Sequence, residues 1–172
     1  MWRGAVTCGP AFTVKCVPGD NLPIHLALAQ VAPGDVLVVD AGGHIAGYWG
    51  MILTVSAQQR GVAGLVIDGG VRDVAYLQKI AFPVYALGIV PSTSVSHYRF
   101  AGSNIPVVCD GVPVNAADII VADADGVVVV PRGSAAQVLK VAQEMDFKEH
   151  SMYATIEKLK SIQEAVKKFG RL

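Results

Sequence analysis

The sequence predicts a single α/β domain with mixed sheets or a barrel-like sandwich, covered by helices. Its length of 172 residues suits one domain that can bury a core. Strand-like and helical segments alternate through the first half, and strand-like segments predominate in the second half before two final helices. No linker or low-complexity segment divides the chain. We therefore expect one domain over residues 1–172, with a core at about 9–132 and C-terminal helices at about 133–170.

In the first half, apolar and β-branched runs bounded by Pro, Gly and Asp predict strands, and amphipathic runs predict helices. The predicted strands are residues 11–17, 36–40, 64–68 and 83–87. The predicted helices are residues 22–31, 51–60 and 73–80. The second half continues with strands at residues 93–98, 105–109, 112–114, 118–122 and 127–130. It ends with helices at about 134–145 and 151–169.

The apolar composition has two explanations, a membrane span or surface used in oligomer contacts. Hydrophobic residues make up 52% of the chain, and the mean hydropathy is +0.46. A bilayer span needs about 20 consecutive apolar residues, whereas Val36–Val39 and Gly126–Val130 are only strand-length. The sequence therefore predicts an oligomer and no membrane partner.

The distribution of charge and cysteine excludes further classes of protein. The first 139 residues carry seven Lys and Arg against nine Asp, so no basic stripe is available for nucleic acid. The three cysteines form no C-x-x-C pair, which is typical of free thiols in a reducing compartment. The N-terminus does not have the pattern of a signal peptide. We expect a cytoplasmic protein.

The first candidate site is a glycine-rich loop, Gly42–Gly50, between a predicted strand and a predicted helix. It matches neither G-x-G-x-x-G nor the P-loop pattern, so it disfavours nucleotide binding. Its glycines still allow a ligand to approach the backbone closely. The amides of Ile52 and Leu53 at the helix start can bind an anion such as a carboxylate. Among the histidines, His44 in this loop is the one considered as lining a site, whereas His25 is interpreted as a packing residue of an apolar helix.

The second candidate site is the segment Asp68–Asp73, in which two glycines precede Arg72 and Asp73. These two side chains are expected at the carboxyl edge of the sheet, where α/β folds hold ligands. Arginine offers a planar fork for a carboxylate or enolate oxygen, and aspartate is a ligand for hard cations. The alternative is that both residues form structural salt bridges at a helix start.

Matching segments in the same order connect the sequence to a known family. They are Gly9-Pro10-Ala11, Pro18–Asn21, Pro33–Val36, Gly61–Asp73, Phe82–Val84, Asn104–Cys109 and Val121–Pro131. On these segments the chain resembles the RraA-like proteins, which include 4-hydroxy-4-methyl-2-oxoglutarate / 4-carboxy-4-hydroxy-2-oxoadipate aldolases. The resemblance implies an α-β-β-α sandwich of the swivelling-domain type. It also implies a homotrimer or hexamer with active sites between subunits.

The resemblance further implies a metal-dependent lyase that produces pyruvate. In the aldolases Mg²⁺ or Mn²⁺ polarises a 2-oxo acid, cleavage passes through an enolate, and the same sites decarboxylate oxaloacetate. Arg72 matches the arginine that binds the oxo acid and stabilises the enolate, and Asp73 matches the direct metal ligand. Gly50 ends the loop before Ile52 and Leu53, which match the amides that hold the pyruvyl carboxylate.

The sequence departs from the aldolase pattern at the metal. Met51 occupies a position that is acidic in the aldolases, and a thioether is a poor substitute for a carboxylate around Mg²⁺. The acidic residue usually found just after the Arg-Asp pair is missing, because Val74–Gln78 contains no carboxylate. Glu144 or Glu149 of a neighbouring subunit are candidates for a supporting carboxylate. We therefore expect weakened metal binding.

Two functions remain open from the sequence. The first is a lyase that acts on a 2-oxo dicarboxylic acid, as aldolase or oxaloacetate decarboxylase. The second is a non-catalytic RraA-like protein that acts by binding a protein partner, which Met51 would permit. A methyltransferase, suggested by older family names, is disfavoured because no segment resembles a nucleotide-type cofactor site.

Overall fold

The computed structural model describes residues 6–94 and 99–170. They divide into two compact units, one ending at Arg132 and the other beginning at Gly133. The strands, all in the first unit, are β1 (Thr7–Lys15), β2 (Val36–Asp40), β3 (Gly47–Trp49), β4 (Gly64–Val71), β5 (Val84–Ile89), β6 (Gly102–Ser103), β7 (Val107–Cys109), β8 (Val112–Val114), β9 (Ile119–Ala122) and β10 (Val127–Val130). The helices are α1 (Leu22–Leu28), α2 (Met51–Gln59), α3 (Val74–Ile80), α4 (Ala135–Leu159) and α5 (Ile162–Phe169).

The first unit is built on a mixed sheet of eight strands. Its strands run in the order β10-β9-β1-β2-β4-β3, and β5 and β6 pair with β4 and β1. The pairs β1–β2, β2–β4, β3–β4 and β4–β5 are parallel, whereas β9 and β6 pair with β1 in the antiparallel sense. The predicted fold class, a mixed α/β fold, is confirmed.

The alternation of side chains along β2 explains how the layers pack. Leu37 and Val39 belong to the apolar cluster that also contains buried residues of α1, α2 and α3. Val36 and Val38 point to the opposite face, since successive side chains of a strand alternate. There they join a second cluster with Val114 and other residues of the antiparallel β7–β8 hairpin. Helices therefore cover one face of the sheet, and β-structure covers the other.

Several predicted boundaries in the first unit were wrong. The glycine loop contains the short strand β3, and β4 continues to Val71 through the two glycines that were predicted as a loop. A Cβ at Gly70 would collide with the carbonyl oxygen of Ala46, so the missing side chain lets β3 lie against β4. The strand predicted at 105–109 begins at Val107. Of the strand predicted at 93–98, Thr93 bridges to Gly47 and residues 95–98 lie outside the described residues.

The C-terminal unit consists of α4 and α5, and the position predicted for the break between them was also wrong. The sequence predicted an interruption between residues 145 and 151, whereas α4 is continuous over 25 residues. The break is at Lys160, which has a left-handed φ of 55°, and Ser161 then caps α5 by accepting the N–H of Glu164. No helix in the described part of the chain has both the length and the apolar character that a bilayer span requires.

Candidate functional site

A small pocket lies where α1, β3, α2 and the end of β4 meet. Its volume is about 160 Å³. It is lined by Asn21, His25, Tyr48, Trp49, Gly50, Met51, Ile52, Leu53, Arg72 and Asp73. Every described lining residue falls between positions 21 and 73, and the set includes the predicted site residues Gly50, Ile52, Leu53, Arg72 and Asp73.

The end of β4 positions the Arg-Asp pair against the loop before α2. The backbone N–H of Arg72 donates to the carbonyl oxygen of Trp49 over 2.9 Å. Asp73 has left-handed backbone angles, φ 58° and ψ 33°, at the start of α3. Its carboxylate does not cap α3. Instead Oδ2 accepts the N–H of Met51, the first residue of α2, over 2.8 Å.

Gly50 and Gly47 are required for this close approach. A Cβ at Gly50 would collide with the Asp73 carboxylate and lie 3.1 Å from Cγ of Arg72. A Cβ at Gly47 would lie 3.3 Å from Cδ of Arg72 and collide with the carbonyl oxygen of Ser92. The missing side chains of Gly47 and Gly50 thus let the backbone of the loop pack directly against the Arg72 side chain.

The first turn of α2 presents free amides to the pocket. The first α-helical hydrogen bond runs from the N–H of Thr54 to the carbonyl oxygen of Gly50, over 3.1 Å. The amides of Ile52 and Leu53 precede that bond, so they have no acceptor within the helix. An anion placed here would satisfy them and would also benefit from the helix dipole.

Besides the amides of α2, the pocket contains an unsatisfied side-chain donor on Arg72. Its side chain is half-buried, and its Nε atom is buried without a hydrogen-bond partner among the described residues. A buried donor without an acceptor costs about 1–3 kcal/mol. The alternative of a structural salt bridge is not observed for Arg72 or Asp73 in the described residues. The Nε atom and the α2 amides are therefore the groups available for an anionic ligand.

Asp68, the first residue of the predicted motif, holds the glycine loop and does not line the pocket. Its carboxylate accepts the N–H of Ala41 and, over 3.3 Å, the N–H of Gly43. Burial raises the pKa of Asp68, and the hydrogen bond from the Ala41 amide opposes this rise. Its role is to fix the start of the loop.

Two lining residues, Asn21 and His25, were not predicted, and His44 was wrongly favoured over His25. His25 is exposed on α1 and lines the pocket, so its interpretation as a packing residue was wrong. His44 is exposed outside the lining and bonds to the hydroxyl of Tyr48 through Nδ1 over 2.9 Å. The signal available in the sequence was the helical spacing of Asn21 and His25, which places both on one face.

The comparison of residues 1–129 with known families identifies the chain. This stretch matches the RraA-like family, described as Aldolase/RraA. The chain belongs to the RraA-like family. A relative from Halalkalibacterium halodurans, named "Putative 4-hydroxy-4-methyl-2-oxoglutarate aldolase", is 38% identical over 137 residues. The matched part is 79% of this chain and 65% of that relative, so the chain spans slightly less than two thirds of the relative's length.

Solved structures agree with this family and with the fold. An uncharacterised protein from Pseudomonas syringae has a TM-score of 0.83 at 29% identity, covering 94% of this chain and 78% of its own. RraAS2 from Streptomyces coelicolor, described as an unusual member of the RNase ES inhibitor RraA protein family, has a TM-score of 0.78 at 31% identity. That match covers 87% of this chain and 77% of RraAS2.

The donor atoms of this RraA-like pocket do not fit a resident Mg²⁺ or Mn²⁺. Asp73 is the single carboxylate among the described lining residues, and one of its oxygens already accepts the Met51 amide. The side chain of Met51 offers only a thioether, which hard cations disfavour. Within the described residues no three His, Cys, Asp or Glu side chains form a group that could hold a metal ion. Glu144 and Glu149 are exposed on α4 in the second unit.

Proposed function

We propose that this RraA-like protein is a lyase that cleaves a 2-oxo dicarboxylic acid to pyruvate, as an aldolase, an oxaloacetate decarboxylase or both. The observation that carries the proposal is the unpartnered Nε of Arg72 in the same pocket as the free amides of Ile52 and Leu53. The amides suit the carboxylate of a 2-oxo acid, and Arg72 suits the oxygen that becomes negative when the enolate forms. The aldolase name of the H. halodurans relative supports the same reaction class.

The proposed chemistry needs an electrostatic site for an enolate, and Arg72 can supply it. When the C–C bond of the substrate breaks, its electron pair enters the enolate, and the charge develops on the oxygen at C2. A guanidinium is always protonated and presents fixed donors, so it stabilises this charge without a proton transfer. The pocket's volume of about 160 Å³ suits a small acid.

No step is assigned to a metal ion, because one carboxylate and a thioether are a poor set for a hard cation. We propose that Mg²⁺ or Mn²⁺, if used, is held weakly by Asp73, with Glu144 or Glu149 of a neighbouring subunit as the candidate support. We also propose a homotrimer or hexamer. The exposed apolar side chains of Val128 and Phe147 support it, since such surface is usually covered in an assembly.

The test measures pyruvate release from oxaloacetate and from a 4-hydroxy-2-oxo dicarboxylic acid, with and without Mn²⁺. Arg72→Ala should lower kcat/KM by about 100-fold or more, the usual cost of removing a donor to a developing oxyanion. Arg60→Ala is the control, because Arg60 is exposed at the end of α2 outside the pocket. Unchanged activity in Arg72→Ala would refute the role assigned to Arg72.

The second candidate function is a non-catalytic protein that acts through a protein partner, which Met51 in the pocket favours. The name of RraAS2 supports this class of function for a related fold. Under this alternative the folded protein releases no pyruvate from either substrate, and oxalate, a mimic of the enolate, does not bind in calorimetry. Measurable oxalate binding that Arg72→Ala abolishes would instead favour the lyase.

A further inference from the structure

Among the described residues that line the pocket, His25 is the one group suited to carry a proton near neutral pH. Imidazole changes its charge between about pH 5 and pH 8, whereas a guanidinium stays protonated. The remaining acidic group, Asp73, is already engaged by the Met51 amide. His25 is exposed, and no hydrogen bond or ion pair engages its side chain among the described residues.

The helix that carries His25 is fixed to the segment that precedes α2. Asn21, one turn before His25, donates from Nδ2 to the carbonyl oxygen of Tyr48 over 3.1 Å. The N–H of Gly19 donates to the hydroxyl oxygen of Tyr48 over 2.6 Å. Tyr48 itself is fully buried. The start of α1 is therefore tied through Tyr48 to the β3 strand that leads into Gly50.

The described elements packed most closely against α1 carry few charged residues. Among the described residues, the elements packed most closely against α1 are β1, α2 and β6, and neither α2 (Met51–Gln59) nor β6 contains a charged residue. Lys15 of β1 is paired with Asp40 at 2.5 Å. The carboxylate of Asp20 accepts the N–H of Leu22 at the start of α1. Among the described lining residues, the charged groups are Arg72 and Asp73.

We propose that His25 is the proton-transfer residue of this pocket, which rests on the proposed lyase function. In the cleavage of a 4-hydroxy-2-oxo acid, neutral His25 takes the proton of the 4-hydroxyl group. The O–H electron pair becomes the new C=O bond of the leaving oxo acid, and the C3–C4 bond breaks. Its electron pair forms the enolate of pyruvate. The imidazolium then returns the proton to C3, which makes the methyl group and restores neutral His25.

Decarboxylation places the opposite demand on the same residue. When oxaloacetate loses CO₂, the C3–C4 electron pair again forms the enolate, but no hydroxyl proton is released. The proton that C3 needs comes from protonated His25, which solvent then reprotonates. Aldol cleavage should therefore be lost as pH falls and His25 becomes protonated, whereas conversion of oxaloacetate to pyruvate should be lost as pH rises.

The kinetic test compares pH profiles of the wild type with those of His25→Asn and His25→Gln, using the full chain. In aldol cleavage we expect kcat to fall by about 100-fold or more, in the range of general acid–base catalysis, with KM close to the wild-type value. The pH-dependent limb of the wild-type profile should disappear, and free imidazole should restore part of the rate. His150→Asn is the control, because it removes an exposed imidazole of α4 that bonds to Asp146 and not to a residue of the pocket lining. A retained limb and an unchanged kcat in both His25 variants overturn the proposal and leave the lyase function standing.

A binding test separates failure of His25 from failure of the pocket. Oxalate is titrated into the protein while the imidazole Cε1–H resonances are followed by NMR and binding is followed by calorimetry. We expect the His25 resonance, identified by its absence from the spectrum of His25→Asn, to shift. The His150 resonance, which belongs to an exposed residue of α4, should stay in place. Oxalate binding without a shift of the His25 resonance overturns the role of His25 alone. If oxalate does not bind at all, the lyase function fails, and the role of His25 fails with it.

Discussion

The amide of Met51 donates to Oδ2 of Asp73 over 2.8 Å, so the carboxylate of Asp73 lies at the N-terminus of α2. It occupies the first free amide of this helix, and those of Ile52 and Leu53 are left for a ligand. The left-handed backbone of Asp73 makes this possible, because it turns the side chain away from α3 and towards α2. Such a conformation is costly for a non-glycine residue, and residues in such conformations cluster at functional sites.

Gly50→Ala should disrupt the pocket. The added Cβ would collide with the Asp73 carboxylate and crowd Cγ of Arg72, so both side chains must move. We expect the free energy of unfolding to fall by about 1–3 kcal/mol, as for other overpacked sites, and oxalate binding to be lost. Gly88→Ala is the control, since a Cβ there meets no atom within 4 Å. Denaturant unfolding and calorimetry measure the two effects, and normal oxalate binding in Gly50→Ala would contradict the geometry.

Met51→Asp should create a metal site. A carboxylate at this position would join that of Asp73 at the pocket, and two carboxylates hold Mg²⁺ or Mn²⁺ better than one. We expect Mn²⁺ affinity to rise about tenfold or more, and the Tm to increase with Mn²⁺ concentration. Val55→Asp is the matched control, because Val55 lies on the same helix and its exposed fraction, 39%, is close to the 42% of Met51. Equal Mn²⁺ affinity in the two variants would show that position 51 does not face the metal.

Asp118 should stabilise the fold in a pH-dependent way. Its carboxylate accepts the N–H of Arg132 over 3.0 Å and that of Asn115 over 2.9 Å. Burial raises the pKa of Asp118, but these hydrogen bonds together lower it further, so the net pKa lies below the usual 3.8. The resulting stability is present above that usual pKa and is lost as pH falls through the folded-state pKa.

Asp118→Asn should therefore lower the free energy of unfolding at pH 7 by about 1–3 kcal/mol, and the difference from wild type should shrink below about pH 4. Denaturant unfolding across this range measures the effect. Asp125→Asn, at an exposed position, should change little. A difference that does not depend on pH would contradict the role of the charge.

The three cysteines should differ in reactivity. Cys8 is exposed, whereas burial raises the pKa of Cys16 and of Cys109 to about 12. The thiolate is the reactive form, so native protein treated with iodoacetamide at pH 8 should carry a single adduct, on Cys8. Unfolded protein should carry three. Mass spectrometry of the intact chain counts the adducts, and rapid labelling of Cys16 in the native state would contradict its burial.

Local pattern predicted the elements that bury an apolar run. The strand at 36–40 and the helix that begins at residue 51 were found where their apolar residues and the bounding glycines and prolines placed them. Arg72 and Asp73 were predicted as site residues because they follow two glycines at the end of a strand. The amides of Ile52 and Leu53 were predicted because they lie at the start of a helix. These features depend on residues close in sequence.

Features that depend on distant contacts were not predicted. In the sequence, Gly70 looks like a loop residue. In the structure it is a strand residue that pairs with β3, and this pairing is a long-range contact. In the sequence, His25 looks like a packing residue of an apolar helix. The side of α1 that faces the pocket depends on the hydrogen bonds of Asn21 and Gly19 to Tyr48, which are contacts between distant segments. No periodicity in the sequence encodes such bonds between segments almost 30 residues apart.

Because the described residues that line the pocket all lie within positions 21–73, one short, contiguous stretch of the chain supplies the groups that we propose to bind the ligand. In the oligomer that we propose, substitutions after position 73 should alter how protomers associate without replacing one of these lining side chains. Substrate preference and quaternary arrangement can therefore diverge separately among homologues. Exchanging this stretch between two homologues should transfer the substrate preference of the donor and keep the quaternary arrangement of the recipient.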